Sequence, residues 1–148
     1  LGSKLLINTI EAIEKGNIKG TPQSELMPAD GILKSAPKIF KEDCRINWKE
    51  EPAKIINQIR GLSPYPTAYG DLKIDDAAPL SMKIFNAKFE QHEHNQPLGK
   101  IETDGKSYFK VCVKGGFIAL YEVQLAGKKR MLITDFLRGF RCNYAEFL

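Results

Sequence analysis

The sequence predicts a mainly β fold, an open OB-like antiparallel barrel of five to six strands with one helix packed on it. Short runs of alternating apolar and polar residues follow one another through the second half of the chain, most clearly over 108–113. Turns that contain glycine separate these runs, at Asp104-Gly105, Gly115-Gly116 and Gly127-Lys128. Strands that lie so close together in sequence favour antiparallel hairpins over a doubly wound parallel sheet.

A terminal helix and a linker precede this barrel. Apolar residues recur at helical spacing over residues 1–15, on a face formed by Leu5, Leu6, Ile10 and Ile13. The next 22 residues, 16–37, are rich in glycine and proline and lack periodicity, which is typical of a tether between two bodies. The predicted organisation is therefore a terminal helix at 1–16, a linker at 17–40 and a barrel domain at 41–148.

One short helix lies between the linker and the strands. Its apolar face is formed by Ile55, Ile56, Ile59 and Leu62. The helix begins either at a cap on Asn47 or later, with Pro52 in its first turn. We favour the later start, because a proline deeper in the helix would lose a hydrogen bond. Gly61 is expected to end the helix in the left-handed conformation, and Pro64 and Pro66 prevent it from restarting.

The strand region contains one irregularity and one further helix. Apolar residues change phase between Ile84 and Phe85 within the run 80–90, which predicts a β-bulge. A small helix is expected at Asp135–Arg138, with Thr134 as its N-cap. The predicted strands between these two features cover 108–113, 117–125 and 131–133.

The segment around the helix end resembles a known signature. Residues 59–66 read Ile-Arg-Gly-Leu-Ser-Pro-Tyr-Pro, with Trp48 upstream, and are similar to the pattern that opens the C-terminal domain of methionyl-tRNA formyltransferases. The resemblance continues through Gly127-Lys128-Lys129 and Asp135–Gly139, so it covers nearly the whole chain. It departs at Thr67, where the family usually has glycine.

This resemblance implies the same OB-like fold, and it makes the terminal helix the last helix of a catalytic domain that precedes this chain. The family formylates the amino group of methionyl-initiator-tRNA with 10-formyltetrahydrofolate in translation initiation, in the cytoplasm. Its catalytic Asn, His and Asp and its folate pocket belong to the N-terminal domain, and no stretch here matches them. We therefore expect no catalytic residue and no cofactor in this fragment, which is expected to be inactive alone. Its expected partners are the methionylated initiator tRNA and the missing N-terminal catalytic domain.

The distribution of charge is compatible with a polyanionic partner. The net charge is +4, and residues 100–148 account for it with 9 basic and 5 acidic side chains. The alternative is an ordinary, slightly basic globular domain. In the family, lysines near the linker junction face tRNA, and lysines on exposed turns suit phosphates, which need charge more than geometry. The candidate tRNA-binding residues are Lys38, Lys41, Lys128, Lys129, Arg130, Arg138 and Arg141.

The signature residues are expected to be structural. We assign Arg60 to pinning the helix or the interface with the catalytic domain. The tyrosines are expected to be half-buried in the barrel, although they could stack on bases. The structural residues are Trp48, Arg60, Gly61, Pro64 and Pro66, and the tyrosines are Tyr65, Tyr69 and Tyr108.

Other kinds of chemistry find little support. His92-Glu93-His94 is the only histidine cluster, and we interpret it as a polar loop in preference to a metal site. The 3 cysteines form no CxxC pair, which favours a reducing cytoplasm. No apolar run is long enough to span a membrane, and no nucleophile motif is present.

Two other functions remain open. Formyltransferases that act on nucleotide sugars, and hydrolases that act on formyl-folate, share a similar C-terminal domain without needing tRNA. Alternatively, the chain is a stand-alone OB-like nucleic-acid-binding module. The amphipathic helix at residues 1–15 disfavours this second alternative, because it would leave an apolar face without a partner.

Overall fold

The computed structural model describes residues 1–28, 31, 33 and 35–148, and the chain divides into two compact units, Leu1–Lys38 and Ile39–Leu148. In the first unit, helix α1 spans Gly2–Glu14, which confirms the predicted helix. Of the residues described in α1, none is buried. A short 3-10 turn follows at Gln23–Leu26. Four residues of the predicted linker, at positions 29, 30, 32 and 34, lie outside the described residues.

The second unit is built from antiparallel strands and two α-helices. The helices are α2 (Pro52–Leu62) and α3 (Ile133–Gly139). The strands are β1 (Ala68–Ile74), β2 (Leu80–Gln91), β3 (Ile101–Thr103), β4 (Phe109–Val113), β5 (Gly116–Leu125), β6 (Met131–Leu132) and β7 (Ala145–Phe147). They form one sheet in the order β3-β4-β5-β2-β1-β7, with β6 paired to β5. A bridge between Lys100 and Glu146 joins the two ends of this order. The predicted mainly β antiparallel barrel is therefore confirmed, and it is nearly closed.

The barrel encloses one apolar core. Alternate residues of the strands point inward, as the period of two requires. Helix α2 adds Ile55 and Ile59, and α3 adds Leu137, each at most 2% exposed. Fully burying a side chain of this kind stabilises the fold by about 1.5–3 kcal/mol. The strand residues with no exposed surface are Ala68, Leu72, Met82, Ile84, Phe109, Val111, Val113, Ile118 and Val123.

Helix α2 begins as we favoured but ends differently. Pro52 occupies its first turn, so the later start is confirmed and the start at Asn47 is wrong. Asn47 instead accepts a hydrogen bond from the backbone N–H of Lys49, at 3.1 Å. The prediction that Gly61 ends the helix in the left-handed conformation is wrong, because the helix continues to Leu62 and ends at an extended Ser63. Burial of Leu62 against the barrel explains the extra residue.

The left-handed residue of this segment is Thr67, with a φ of 79°. That conformation favours glycine. The side chain of Thr67 stabilises this left-handed conformation, because its Oγ1 donates to the carbonyl of Pro64 at 2.5 Å. Its N–H donates to the carbonyl of Leu62 at 2.9 Å. The threonine is thus buried with its polar atoms bonded, and it closes the turn that leads from α2 into β1.

The predicted bulge in β2 is present, whereas the predicted N-cap of α3 is not. The register between β2 and β5 shifts around Asn86, which confirms the predicted bulge after Ile84. Thr134 is not the N-cap of α3, since the helix begins at Ile133, two residues before the predicted Asp135, with Leu132 as its N-cap and without a side-chain cap. The buried Ile133 lies in its first turn, so packing against the core sets this start.

Candidate nucleic-acid interface

The hairpin turn between β5 and β6 is an exposed cationic element. Gly127 takes a φ of 74° there, and the N–H of Lys128 donates to the carbonyl of Leu125 at 2.9 Å. The side-chain amide of Gln124 donates to the carbonyl of Lys128 at 3.0 Å, which fixes the turn against β5. Lys128 and Lys129 are both exposed, and among the described residues no carboxylate pairs with either of them.

Arg130, the next residue, has a different environment. Its Nε and Nη2 donate to the two carboxylate oxygens of Glu122 at 2.7 and 2.6 Å. The guanidinium also lies over the ring of Phe85, 4.1 Å from its centroid. The hydrogen bond from Arg130 holds the pKa of Glu122 below its ordinary value. The positive charge of Arg130 is therefore matched by a fixed negative charge beside it, and its predicted role in binding RNA stays a prediction.

The two arginines of the α3 region are also engaged. Arg138 lies 3.2 Å from the carboxylate of Asp135, one turn earlier on α3. Arg141 donates to the carbonyls of Leu137 and Phe140, at 3.3 and 2.7 Å. Positive charge at these carbonyls stabilises the C-terminal end of α3. Arg141 thus has a structural task, while RNA binding by Arg138 and Arg141 remains a prediction.

The two candidates before the barrel lie in different units. Lys38 is the last residue of the first unit and Lys41 is near the start of the second, and both are exposed. Lys41 directly precedes a 3-10 turn over Glu42–Cys44. After this turn, Arg45 bridges to Tyr69 on β1 and lies 2.9 Å from the carboxylate of Asp71. The structure therefore ties the segment after Lys41 to β1, and the RNA contacts of both lysines stay predictions.

Most of the signature residues lie at the end of α2, whereas Trp48 precedes the helix. Trp48 is 3% exposed and stacks on Phe147 of β7, with ring centroids 4.8 Å apart. Arg60 is exposed and donates to the side-chain oxygen of Asn57 at 3.0 Å, one turn earlier on α2. Gly61 lies inside the helix, and the peptide bonds before Pro64 and Pro66 are both cis. A role of Arg60 at a domain interface stays a prediction.

The tyrosines have mixed outcomes. Tyr69 and Tyr108 are partly buried on the barrel, as expected. The same expectation is wrong for Tyr65, which is 88% exposed. It lies between the two prolines of the turn after α2, whose path leads its ring away from the core. The sequence pattern of an aromatic residue among prolines gave no sign of this exposure.

One cationic residue near the hairpin turn was not among the candidates. Lys83 on β2 is exposed and lies directly opposite Gln124 of β5. Its neighbours Met82 and Ile84 point into the core, so the alternation of apolar residues already indicates that Lys83 points outward. The register that places it beside the hairpin turn depends on the pairing of β2 with β5, which the sequence does not specify.

The histidine segment is a loop, as predicted, and it is firmly bonded. The Nε2 of His94 lies 2.9 Å from the carbonyls of both Val113 and Gly116. Its Nδ1 accepts the backbone N–H of Gln96 at 3.2 Å. This network requires the proton on Nε2, so both ring nitrogens are used in fixing the loop to the β4–β5 turn. Within the described ranges, no group of three or more acidic, histidine or cysteine side chains is placed to hold a metal.

Cys112 is buried and Cys142 is partly buried. Burial is the main factor that raises the pKa of the Cys112 thiol and of the Cys142 thiol above their ordinary value. Both line a cavity of about 280 Å³ next to the closing edge of the barrel.

In the part of the chain that the structure describes, no helix is long and apolar enough to cross a membrane.

Comparison with known proteins places this barrel in a family. The family model described as "Formyl transferase, C-terminal domain" matches residues 38–141. The chain belongs to this formyl transferase C-terminal domain family. The match begins just before the second unit and includes the α2 signature and the cationic hairpin turn.

Curated relatives agree with this assignment. The chain is 45% identical over 147 residues to a methionyl-tRNA formyltransferase of Parabacteroides distasonis, covering 99% of this chain and 45% of the relative. It is 48% identical over 145 residues to one of Phocaeicola vulgatus, covering 97% and 44%. It is 46% identical over 140 residues to one of Azobacteroides pseudotrichonymphae, covering 94% and 43%. The resemblance inferred from the signature is thus confirmed, and this formyl transferase domain chain spans less than half the length of these relatives.

Proposed function

We propose that this chain is the tRNA-binding part of a methionyl-tRNA formyltransferase. The whole enzyme would formylate the amino group of methionyl-initiator-tRNA with 10-formyltetrahydrofolate at the start of translation. The observation that carries the proposal is the exposed turn of Lys128 and Lys129, which has no carboxylate partner among the described residues. The curated relatives support the substrate class, because they are named methionyl-tRNA formyltransferases.

The proposed contribution of this chain is to bind the tRNA and to orient it. Lysine on an exposed turn is a flexible point charge that can follow a phosphate oxygen without a fixed geometry. RNA duplexes are recognised mainly through backbone and shape, so binding should depend weakly on sequence. Holding the acceptor end of the tRNA near the formyl donor would favour the reaction through proximity. Formyl transfer itself is assigned to the N-terminal catalytic domain, and the isolated chain is expected to be inactive.

The test is the salt dependence of tRNA binding by the isolated chain. With roughly 4 to 6 phosphate contacts, the logarithm of the binding constant should fall against the logarithm of salt concentration with a slope of roughly −3 to −5. Replacing two contacting lysines, in the double variant K128Q/K129Q, should make this slope shallower by about 2 and weaken binding to different tRNAs alike. Fluorescence anisotropy with labelled initiator tRNA, at salt concentrations from roughly 50 to 300 mM, measures the affinity and its salt slope.

A matched control is available on another hairpin. Lys106 is an exposed lysine of the β3–β4 turn, so K106Q removes the same charge from the same kind of turn. We expect K106Q to bind tRNA as the unmodified chain does. A flat salt dependence, or equal losses in K106Q and the double variant, would contradict the proposal. Absence of any tRNA binding would instead favour the branch of the family that acts on nucleotide sugars or formyl-folate.

A further inference from the structure

We propose that Lys83 binds the RNA backbone together with the hairpin turn, and that Tyr69 and Gln124 on either side of it contact the same strand of RNA. This inference rests on the proposed function, because its ligand is the same tRNA. It adds a binding surface that runs across strands β1, β2 and β5, far in sequence from the turn of Lys128 and Lys129.

The register of the sheet forms this surface. Tyr69 of β1 is directly opposite Lys83 of β2, and Lys83 is directly opposite Gln124 of β5. Residues opposite one another on neighbouring strands point to the same face, with strands about 4.8 Å apart. Since Met82 and Ile84 have no exposed surface, the face that holds Lys83 is the outer one. The three residues therefore form a row across the outer face of the barrel, in which the exposed Lys83 lies between the partly buried Tyr69 and Gln124.

The row is connected to the hairpin turn by a hydrogen bond. The side-chain amide of Gln124 donates to the carbonyl of Lys128 at 3.0 Å, so the turn lies against the end of the row. Because Lys83 is directly opposite Gln124, it lies on the same side of the barrel as the backbone of this turn. Two segments that are distant in sequence thus contribute lysines to one surface.

The nearby carboxylates are engaged by arginines. Glu122 holds Arg130 through two hydrogen bonds of 2.7 and 2.6 Å. Asp71 on β1 lies 2.9 Å from Arg45. Throughout the described residues, no carboxylate pairs with Lys83, and the same is true of the two lysines of the turn. No carboxylate of the described residues therefore competes with an external anion for these ammonium groups.

The composition of the row fits a nucleic-acid strand. Lysine, tyrosine and glutamine are among the side chains that proteins use to contact phosphates and sugars. The hydroxyl of Tyr69 and the second N–H of Gln124 supply donors beside the charge of Lys83. A strand of RNA that crosses the row would contact Lys83 and then the hairpin turn. The exposed charge of Lys83 at the centre of the row favours a polyanionic ligand over an apolar protein surface.

The test compares K83Q with K88Q in the salt-dependent tRNA-binding assay. Lys88 is an exposed lysine of the same strand beyond the bulge, and its ammonium lies 5.8 Å from the ring centroid of Tyr121. We expect K83Q to weaken binding roughly three- to tenfold and to make the salt slope shallower by about 1, while K88Q changes neither. K83R keeps the charge and should retain the affinity of the unmodified chain. Circular dichroism of each variant verifies that the barrel is folded.

The outcomes separate this inference from the proposed function. If K128Q/K129Q weakens binding but K83Q matches K88Q, the row is not part of the interface and only this inference fails. Equal losses in K83Q and K88Q would also overturn it, because they would reflect net charge alone. If the unmodified chain does not bind tRNA, the proposed function fails as well. A loss confined to K83Q and reversed in K83R supports the row.

Discussion

Replacing Gly61 by alanine tests the end of helix α2 directly. Gly61 lies inside the helix with an ordinary φ, and a methyl group at its Cβ position meets no atom within 4 Å. Alanine is favoured over glycine inside a helix by roughly 0.5–1 kcal/mol, mostly because glycine loses more conformational entropy on folding. For a unit of this size that corresponds to a rise of about 2 to 6 °C in the midpoint of thermal unfolding.

Gly127 supplies a matched control for this substitution. A Cβ at Gly127 also meets no atom within 4 Å, but its φ is 74°. The left-handed conformation costs an ordinary residue about 1–2 kcal/mol, so G127A should lower the midpoint by roughly 4 to 10 °C. Thermal unfolding followed by circular dichroism, with urea unfolding as a second probe, measures both variants. A decrease for G61A would show that Gly61 ends the helix in the left-handed conformation after all.

Two further predictions concern charged side chains. Replacing Glu122 by glutamine should release Arg130 for RNA, so E122Q should bind tRNA more tightly, with a salt slope steeper by about 1; unchanged binding would mean that Arg130 does not face the ligand. Asp104 accepts hydrogen bonds from the Ser107 hydroxyl and from the N–H groups of Lys106 and Ser107. These bonds, above all the one from the Ser107 hydroxyl, hold the pKa of the Asp104 carboxyl far below its usual range. A lowered pKa contributes stability above the ordinary value near 3.8, and that stability is lost as the pH falls toward the lower pKa of the folded state. The N–H signals of this turn should therefore stay unchanged in NMR spectra down to pH values around 4 and shift only in stronger acid, and a midpoint at the ordinary pKa would contradict these bonds.

The sequence predicted the parts of the fold that follow local rules. Pro52 identified the start of α2, because proline is compatible only with the first turn of a helix. The change of phase at Ile84 identified the bulge, since one extra residue reverses the alternation of a strand. Gly61 was misjudged because burial of Leu62, a tertiary contact, extends the helix past a residue that often ends one. Thr67 takes the left-handed position instead, which its residue type does not suggest.

The candidate interface was less predictable, for a related reason. Counting basic residues treats Lys129 and Arg130 alike, yet the hairpin places Glu122 beside only one of them. Lys83 was missed because its position next to the turn depends on which residues of β2 and β5 face each other. Register between strands is set by the packing of the whole sheet, and a single residue of slip would move every side chain to the other face.

The closing edge of the barrel has a consequence for how this chain is made. β7 supplies the partner of β1 through pairs such as Leu72 with Phe147, and Phe147 also covers the indole of Trp48. Before residues 145–147 have left the ribosome, residues 72–74 of β1 have no strand partner on this edge, and Phe147 does not yet cover the indole of Trp48. Pairing of β7 with β1 therefore requires that synthesis has passed Phe147, and the fluorescence of Trp48 should report on the docking of β7.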